Sequence, residues 1–159
     1  MLSSPAVPAA SVAPSRSVWP QPVSQSSSIM YTTKRLPVQC SRKSSGRADA
    51  PNCCDVADPA AVEDALERWE NAHPDDFVGV LVNNAGIRRD NLLIFMQNEE
   101  WHRVTDTTLN GFFYCTRRLL KGMMAHRDGR IVNITSLSGL KGMPGQVNYS
   151  AAKAALIGA

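Results

Sequence analysis

An α/β fold of the doubly wound kind, its parallel sheet incomplete at both ends and preceded by a disordered N-terminal segment, is what this sequence predicts. Three observations carry that expectation. Strand-like and helix-like patterns alternate from residue 53 onward. Two short apolar runs, residues 77–82 and 130–135, have the composition of strands buried on both faces, as parallel strands are. Each run then stops at a turn rich in small and polar residues, Asn83-Asn84-Ala85-Gly86 and Ser136-Leu137-Ser138-Gly139. Ligands of doubly wound folds bind beyond the carboxyl ends of the strands, so both turns are candidate sites.

The elements follow in order. Asp58-Pro59 is a helix start, an N-cap followed by a residue suited to the first helical position. Val62, Ala65, Leu66 and Trp69 then recur at helical spacing, and His73-Pro74 closes the helix. After the first strand, a long helix is expected over residues 99–127. Trp101, Val104, Thr108, Phe112, Leu119 and Met123 lie near one stripe of it, and Asp128-Gly129 serves as its C-cap. The second strand and its Ser136 loop come next, and from about Tyr149 an Ala-rich helix runs to Ala159.

Residues 1–50 differ in character from residues 51–159. Seven of the ten prolines fall before residue 52 and 12 serines before residue 46, with few large apolar residues at regular spacing. Such a stretch buries too little surface to offset its ordering entropy. The charge of +3 also divides unevenly, with six cations and no acid before residue 49, against 11 cations and 14 acids after it. Nucleic-acid readers concentrate positive charge on the folded part, so nucleic-acid binding is not expected.

Cys40, Cys53, Cys54 and Cys115 form neither a disulfide framework nor a metal knuckle. They read as reduced thiols of an intracellular protein, with Cys53 and Cys54 in a strand. His73, His102 and His126 lack ligand spacing, so no metal is expected. No apolar run reaches the roughly 18–20 residues that a membrane span requires, and no membrane association is expected.

Tyr149 and Lys153 are four residues apart and share a helix face. An ammonium beside a phenol favours the phenolate and equips the phenol for proton transfer. A hydroxyl from Ser136, at the neighbouring strand end, joins Tyr149 in holding a carbonyl oxygen. Tyr-x-x-x-Lys alone is unspecific and commonly marks a solvated face. LVNNAG, ITSLSG and GQVNYSAAKAALIGA in this order make it specific.

Together with VNNAGIRRDNLL and EEW, these motifs resemble the short-chain dehydrogenase/reductase family, and within it the 3-oxoacyl-[acyl-carrier-protein] reductases, over about residues 53–159. The resemblance implies a homotetrameric, Rossmann-like oxidoreductase of fatty acid synthesis that reduces a 3-oxoacyl thioester with NADPH. It makes Tyr149 the catalytic acid, Lys153 the residue that assists it and binds the nicotinamide ribose, and Ser136 the carbonyl-orienting hydroxyl. Asn83, Ala85 and Gly86 match the cofactor-side turn, Asp55 an acid that contacts adenine, and Arg127 a docking position for acyl carrier protein. Arg117, Arg118 and Lys121 extend that dock or form a solvated face. Where the family has an Asn that holds a relay water, this chain has Thr108; Asn110, two residues on, is turned by about 200° on a helix. A weakened relay is expected.

The family's glycine fingerprint is missing, since no glycine precedes Gly46. Such glycines let backbone approach phosphate at a helix N-terminus. Yet the chain before Asn83 is long enough for the whole unit. In a frame one base upstream, the genetic code lets residues 4–20 be read as VTGGSRGIGRAIAVRLA. Ala6, Ala10 and Val12 begin with G, as the three glycines require, and the single Trp19 codon forces the next residue to Ala. Residues 23–30 then permit GFSVVVHY, a strand, and residues 39–44 AVQAEI, a helix segment. Residues 1–50 are thus expected to be out of frame or, alternatively, an organellar transit peptide. The first reading implies the cytoplasm, the second a plastid or mitochondrion. Two further alternatives stand: an inactive, truncated remnant, and a short-chain reductase for another carbonyl substrate such as a sugar, steroid or polyketide.

Overall fold

The computed structural model describes residues 27–32 and 37–41, as backbone strands, and residues 54–159. The glycine-fingerprint region and Cys53 lie outside the described residues. One mixed sheet has the order β2 (Pro37–Ser41), β1 (Ser27–Thr32), β3 (Val78–Asn83), β4 (Arg130–Asn133). β3 and β4 are parallel, with Leu81 opposite Ile131 and Asn83 opposite Asn133. β1 runs antiparallel to both β3 and β2.

The parallel β3–β4 pair is the element that the sequence predicts, and the other edge of β3 adds detail to it. The segment expected to be disordered, residues 1–50, contains β1 and β2, and the described sheet is parallel only between β3 and β4. The reason is the open edge of β3, whose N–H and C=O groups must be paired; Ser-Ser-Ile-Met-Tyr-Thr has enough β-branched and aromatic content to pair them. The apolar runs are also less enclosed than expected. β3 alternates, with Leu81 and Asn83 buried and Val80 and Val82 half-buried, and β4 is the outer strand, leaving Ile131 and Val132 exposed.

Helix α1 (Pro59–Ala72) forms as its sequence dictates. The Asp58 carboxylate accepts from the N–H groups of Ala60 and Ala61 at 2.9 and 3.3 Å, and Pro59 occupies the first turn, where no N–H is needed. Its stripe of Val62, Ala65, Leu66 and Trp69 packs with Val78 and Leu81 of β3 and with Cys115, Leu119 and Met123 to form the core. Cys54, expected in a strand, lies instead in irregular chain, buried in this core beside Val56.

The long helix is two helices joined by a π turn. α2 (Asn98–Thr105) leads through the π segment Asp106–Asn110 into α3 (Gly111–His126). A π turn shifts the phase of every residue after it. The buried stripe therefore runs through Val104, Thr108, Gly111, Cys115, Leu119 and Met123 rather than through Phe112, and Trp101 stays partly exposed. Gly111 is required there, because a Cβ would stand 2.9 Å from Val56 Cγ2. α3 ends on Arg127, whose left-handed φ of 53° makes it the C-cap in place of Asp128-Gly129. Gly129 instead admits the Met123 side chain, which a Cβ would meet at 2.7 Å.

Two short approaches complete the site. α4 (Leu137–Lys141) follows β4, and α5 (Val147–Gly158) packs against α4, α2 and the π segment.

Candidate active site

Four segments converge at the carboxyl end of β3 and β4. Ser136 is the N-cap of α4, its hydroxyl oxygen accepting from Ser138 N at 3.2 Å. Tyr149 lies in the first turn of α5 and Lys153 one turn later, with Nζ 6.0 Å from the Tyr149 ring centroid. Lys153 is 3% exposed, and its ammonium donates to Ile134 O at 2.6 Å, just past the end of β4. Burial holds the Lys153 pKa below the usual lysine value. Gly139 lets α4 approach this helix, since a Cβ there would lie 2.8 Å from the Lys153 carbonyl carbon.

The loop after β3 and the π turn close the other side. A Cβ on Gly86 would sit 3.4 Å from Lys153 Cε, Lys153 Nζ and Thr108 Oγ1 alike, so these groups face one small space. Thr108 Oγ1 is buried and has no hydrogen-bond partner among the described residues. A buried hydroxyl without a partner is costly and marks a place for a water or a ligand atom. Asn110 is turned elsewhere, donating to Asp106 Oδ1 at 2.8 Å. The arrangement offers a phenol, a hydroxyl and a buried ammonium at one strand end.

Other candidate residues are placed differently. Asn83, expected on the cofactor side, is 3% exposed and points with Leu81 toward α3, because alternate residues of a strand share a face. Its Nδ2 donates to Thr116 Oγ1 at 3.1 Å and Asn133 Oδ1 at 3.0 Å, tying β3, β4 and α3 together. Ala85 is buried in the core. Asp55 lies before α1, where its carboxylate accepts from Ala57 N at 3.1 Å and its carbonyl from Asp58 N. Arg127 is exposed and precedes β4, at the opposite end of that strand from Ser136. Arg118 is no free cation, since its guanidinium binds Glu63 at 2.7 Å and Glu70 at 2.9 and 2.6 Å. Those carboxylates hold its pKa above the usual arginine value.

His73 and His126 stack on Trp69 and Phe77, with centroids 4.8 and 4.0 Å apart. No group of His, Cys, Asp and Glu among the described residues is arranged to hold a metal ion. No helix of the described chain is long and apolar enough to cross a membrane.

Sequence reasoning missed a hydrogen-bonded belt around the site. Gln146 Nε2 donates to Asp90 Oδ2 at 2.9 Å, Asn91 N to Gly145 O at 2.8 Å, and Asn148 Nδ2 to Arg89 O and Glu100 O at 3.0 and 3.3 Å. The Glu100 carboxylate accepts from Gln97 N and Asn91 Nδ2, and these bonds hold its pKa below the usual value. The two amides at the start of α5, Gln146 and Asn148, were the available signal.

Comparison with known proteins extends the geometry. The chain is 56% identical over 81 residues to a 3-oxoacyl-[acyl-carrier-protein] reductase of Synechocystis, covering 51% of this chain and 33% of that protein. It is 47% identical over 103 residues to the 3-oxoacyl-[acyl-carrier-protein] reductase FabG of Escherichia coli K12, covering 65% of this chain and 41% of the relative. The FabG of Vibrio cholerae is 48% identical over 105 residues, again 65% and 41%. The chain thus spans about a third to two fifths of the length of these relatives. The profile of the short chain dehydrogenase family matches residues 30–159. With the larger part of its length matched, and Ser136, Tyr149 and Lys153 gathered at the strand ends, the chain belongs to the short-chain dehydrogenase family.

Proposed function

We propose that the chain carries the proton-transfer half of an NADPH-dependent 3-oxoacyl-[acyl-carrier-protein] reductase. The observation that carries the proposal is the convergence of Lys153 and Thr108 on the space beside Gly86, with the Tyr149 ring 6.0 Å from Lys153 Nζ and Ser136 on the adjoining strand end. The relatives named as 3-oxoacyl-[acyl-carrier-protein] reductases supply the substrate class.

The nicotinamide end of the cofactor fits this site. Gly86 leaves room that a side chain would fill, and the unpartnered Thr108 hydroxyl and the Lys153 ammonium offer polar atoms toward it. The phosphate end has no such fit, because no glycine precedes Gly46. When bound, the cofactor supplies the hydride. The Ser136 hydroxyl holds the substrate carbonyl, and the Tyr149 phenol gives its proton to the carbonyl oxygen as charge develops there. Lys153, anchored to Ile134 O, supports the phenolate left behind. A water on Thr108 Oγ1 returns a proton toward Lys153; in the otherwise complete, restored-frame polypeptide Thr108→Asn, restoring the family's residue, should raise turnover, and an unchanged rate would remove Thr108 from the relay.

The missing phosphate loop leads to the second part of the reading. Residues 4–44 are translated one frame away from a glycine-fingerprint unit. In a Rossmann sheet the strand in the place of β3 has a parallel neighbour on each side, and the antiparallel β1 beside it supports the frame reading. The polypeptide translated in the restored frame should bind NADPH and oxidise it in the presence of a 3-oxoacyl thioester. A restored polypeptide that binds NADPH but reduces other carbonyls in preference would replace the substrate assignment.

Acyl carrier protein is the partner in this reading, with the exposed Arg127 as one contact. Arg127→Glu should raise KM for the carrier-borne substrate more than for a coenzyme A thioester. Exposed Phe113, Leu120 and Met124, on one face of α3, support assembly of copies into a homotetramer. Its place in this reading is the cytoplasm.

A further inference from the structure

Among the polar side chains of the belt, Asn148 is singular. It is 0% exposed, it stands immediately before Tyr149 in the first turn of α5, and its amide uses both donor and acceptor atoms. Asn in a first helical turn ordinarily bonds to its own local backbone. Here only the oxygen does so, accepting from Tyr149 N at 2.7 Å, one of the donors that a helix start leaves orphaned. The nitrogen reaches far back along the chain, to Arg89 O at 3.0 Å and Glu100 O at 3.3 Å. Arg89 belongs to the loop that carries Gly86, and Glu100 opens α2, which leads into the π turn bearing Thr108. One buried amide therefore ties α5 both to the loop that carries Gly86 and to the helix that leads into the Thr108 turn.

We propose that Asn148 is a positioning residue, setting the helix of Tyr149 and Lys153 against the Gly86 loop and the Thr108 turn. The inference rests on the assignment of Tyr149 and Lys153 as the catalytic pair. It differs from the exposed Gln146–Asp90 bond of the belt in one respect: Asn148 is fully buried and its one nitrogen makes both long-range ties, so removing the amide cuts α5 from the Arg89 loop and from α2 at once. Asn148→Asp is the sharpest probe. It keeps the shape and the bond from Tyr149 N while setting an oxygen, in place of the donor, against the carbonyls of Arg89 and Glu100.

The test is NMR of the full chain with labelled glycine, lysine, phenylalanine and histidine, the Gly86 signals being identified with Gly86→Ala. The wild-type chain should show a through-space contact between the Gly86 α-protons and the Lys153 ε-methylene, since even a Cβ on Gly86 would lie only 3.4 Å from Lys153 Cε, and Asn148 side-chain amide protons protected from exchange. In Asn148→Asp and Asn148→Ala the Gly86–Lys153 contact should be lost, while the contact between the stacked Phe77 and His126 rings, 4.0 Å apart, persists as the sign that the fold is kept. Gln146→Ala, which cuts only an exposed tie, should leave the Gly86–Lys153 contact in place. A folded Asn148→Asp with that contact unchanged would overturn the proposal. Should both Asn148 variants fail to fold, wild-type Asn148 amide protons exchanging as fast as those of a solvent-exposed asparagine would overturn it, and protected ones support it. A wild-type chain with no Gly86–Lys153 contact would overturn the site geometry on which the catalytic assignment rests, and this inference with it.

Discussion

The two edges of β3 carry different neighbours and different consequences. On one edge β4 runs parallel, with Asn83 level with Asn133, and the chain beyond both strand ends delivers Gly86, Ile134 and Ser136 to a common place. On the other edge β1 runs antiparallel and pairs Ile29 with Val82, so it satisfies the backbone of β3 but points its own carboxyl end away from that place. A parallel strand aims its following loop at the site; an antiparallel one aims it at the opposite end of the sheet. Pairing alone is therefore enough to complete a sheet edge, and direction is what makes the edge useful.

The largest test of this contrast is chemical. Tyr149→Phe, on the parallel side, should lower the turnover of the restored-frame polypeptide by about 100- to 10,000-fold, the usual reach of general acid catalysis, with little change in NADPH affinity. A loss smaller than about tenfold would assign proton donation to another group. Next comes the shared core beneath both edges. Leu66 is fully buried between α1, β3 and α3, and Leu66→Ala should cost about 2–5 kcal/mol in urea unfolding.

A finer test uses the titration of Lys153. Because burial holds its folded pKa below the usual 10.5, the unfolded chain keeps this proton at pH values where the folded chain has released it. Stability from this group is therefore fully present above about 10.5 and is lost as pH falls through the lowered folded value. The unfolding midpoint should rise with pH over that window in the wild-type chain, and Lys153→Met should remove that component of the rise. The smallest effect at the site belongs to the antiparallel edge. Met30→Pro deletes a ladder N–H of β1, and it should leave the Lys153 proton signals where they are. A shift there would show that β1 helps to shape the site.

Much of the parallel side was legible in the sequence because its signals are local. Asp58-Pro59 fixes the start of α1, and the four-residue spacing of Tyr149 and Lys153 survives in α5. The phase slip at Asp106–Asn110 was not legible, since no proline or glycine within the turn announces it; Gly111 follows it, and the close approach to Val56 that requires that glycine is a tertiary fact. Nor was the inward turn of Asn83, a polar residue at a strand end that reads equally well as a ligand or as a strut. The tie from Asn148 to Arg89 and Glu100 spans 59 and 48 residues, beyond any local pattern. The pairing of β1 and β2 was missed because a proline- and serine-rich composition outweighed two short β-prone runs.

In the proposed reading, the chemistry of a reductase stands on one edge of β3 while the phosphate-binding unit owed to the other edge is encoded one frame away. Sequencing the transcript across codons 1–55 tests this most directly. The account predicts a single-base insertion or deletion between about codons 44 and 53, with an open frame upstream that reads TGGSRGIG. An intact frame throughout, with no such reading open upstream, would contradict it.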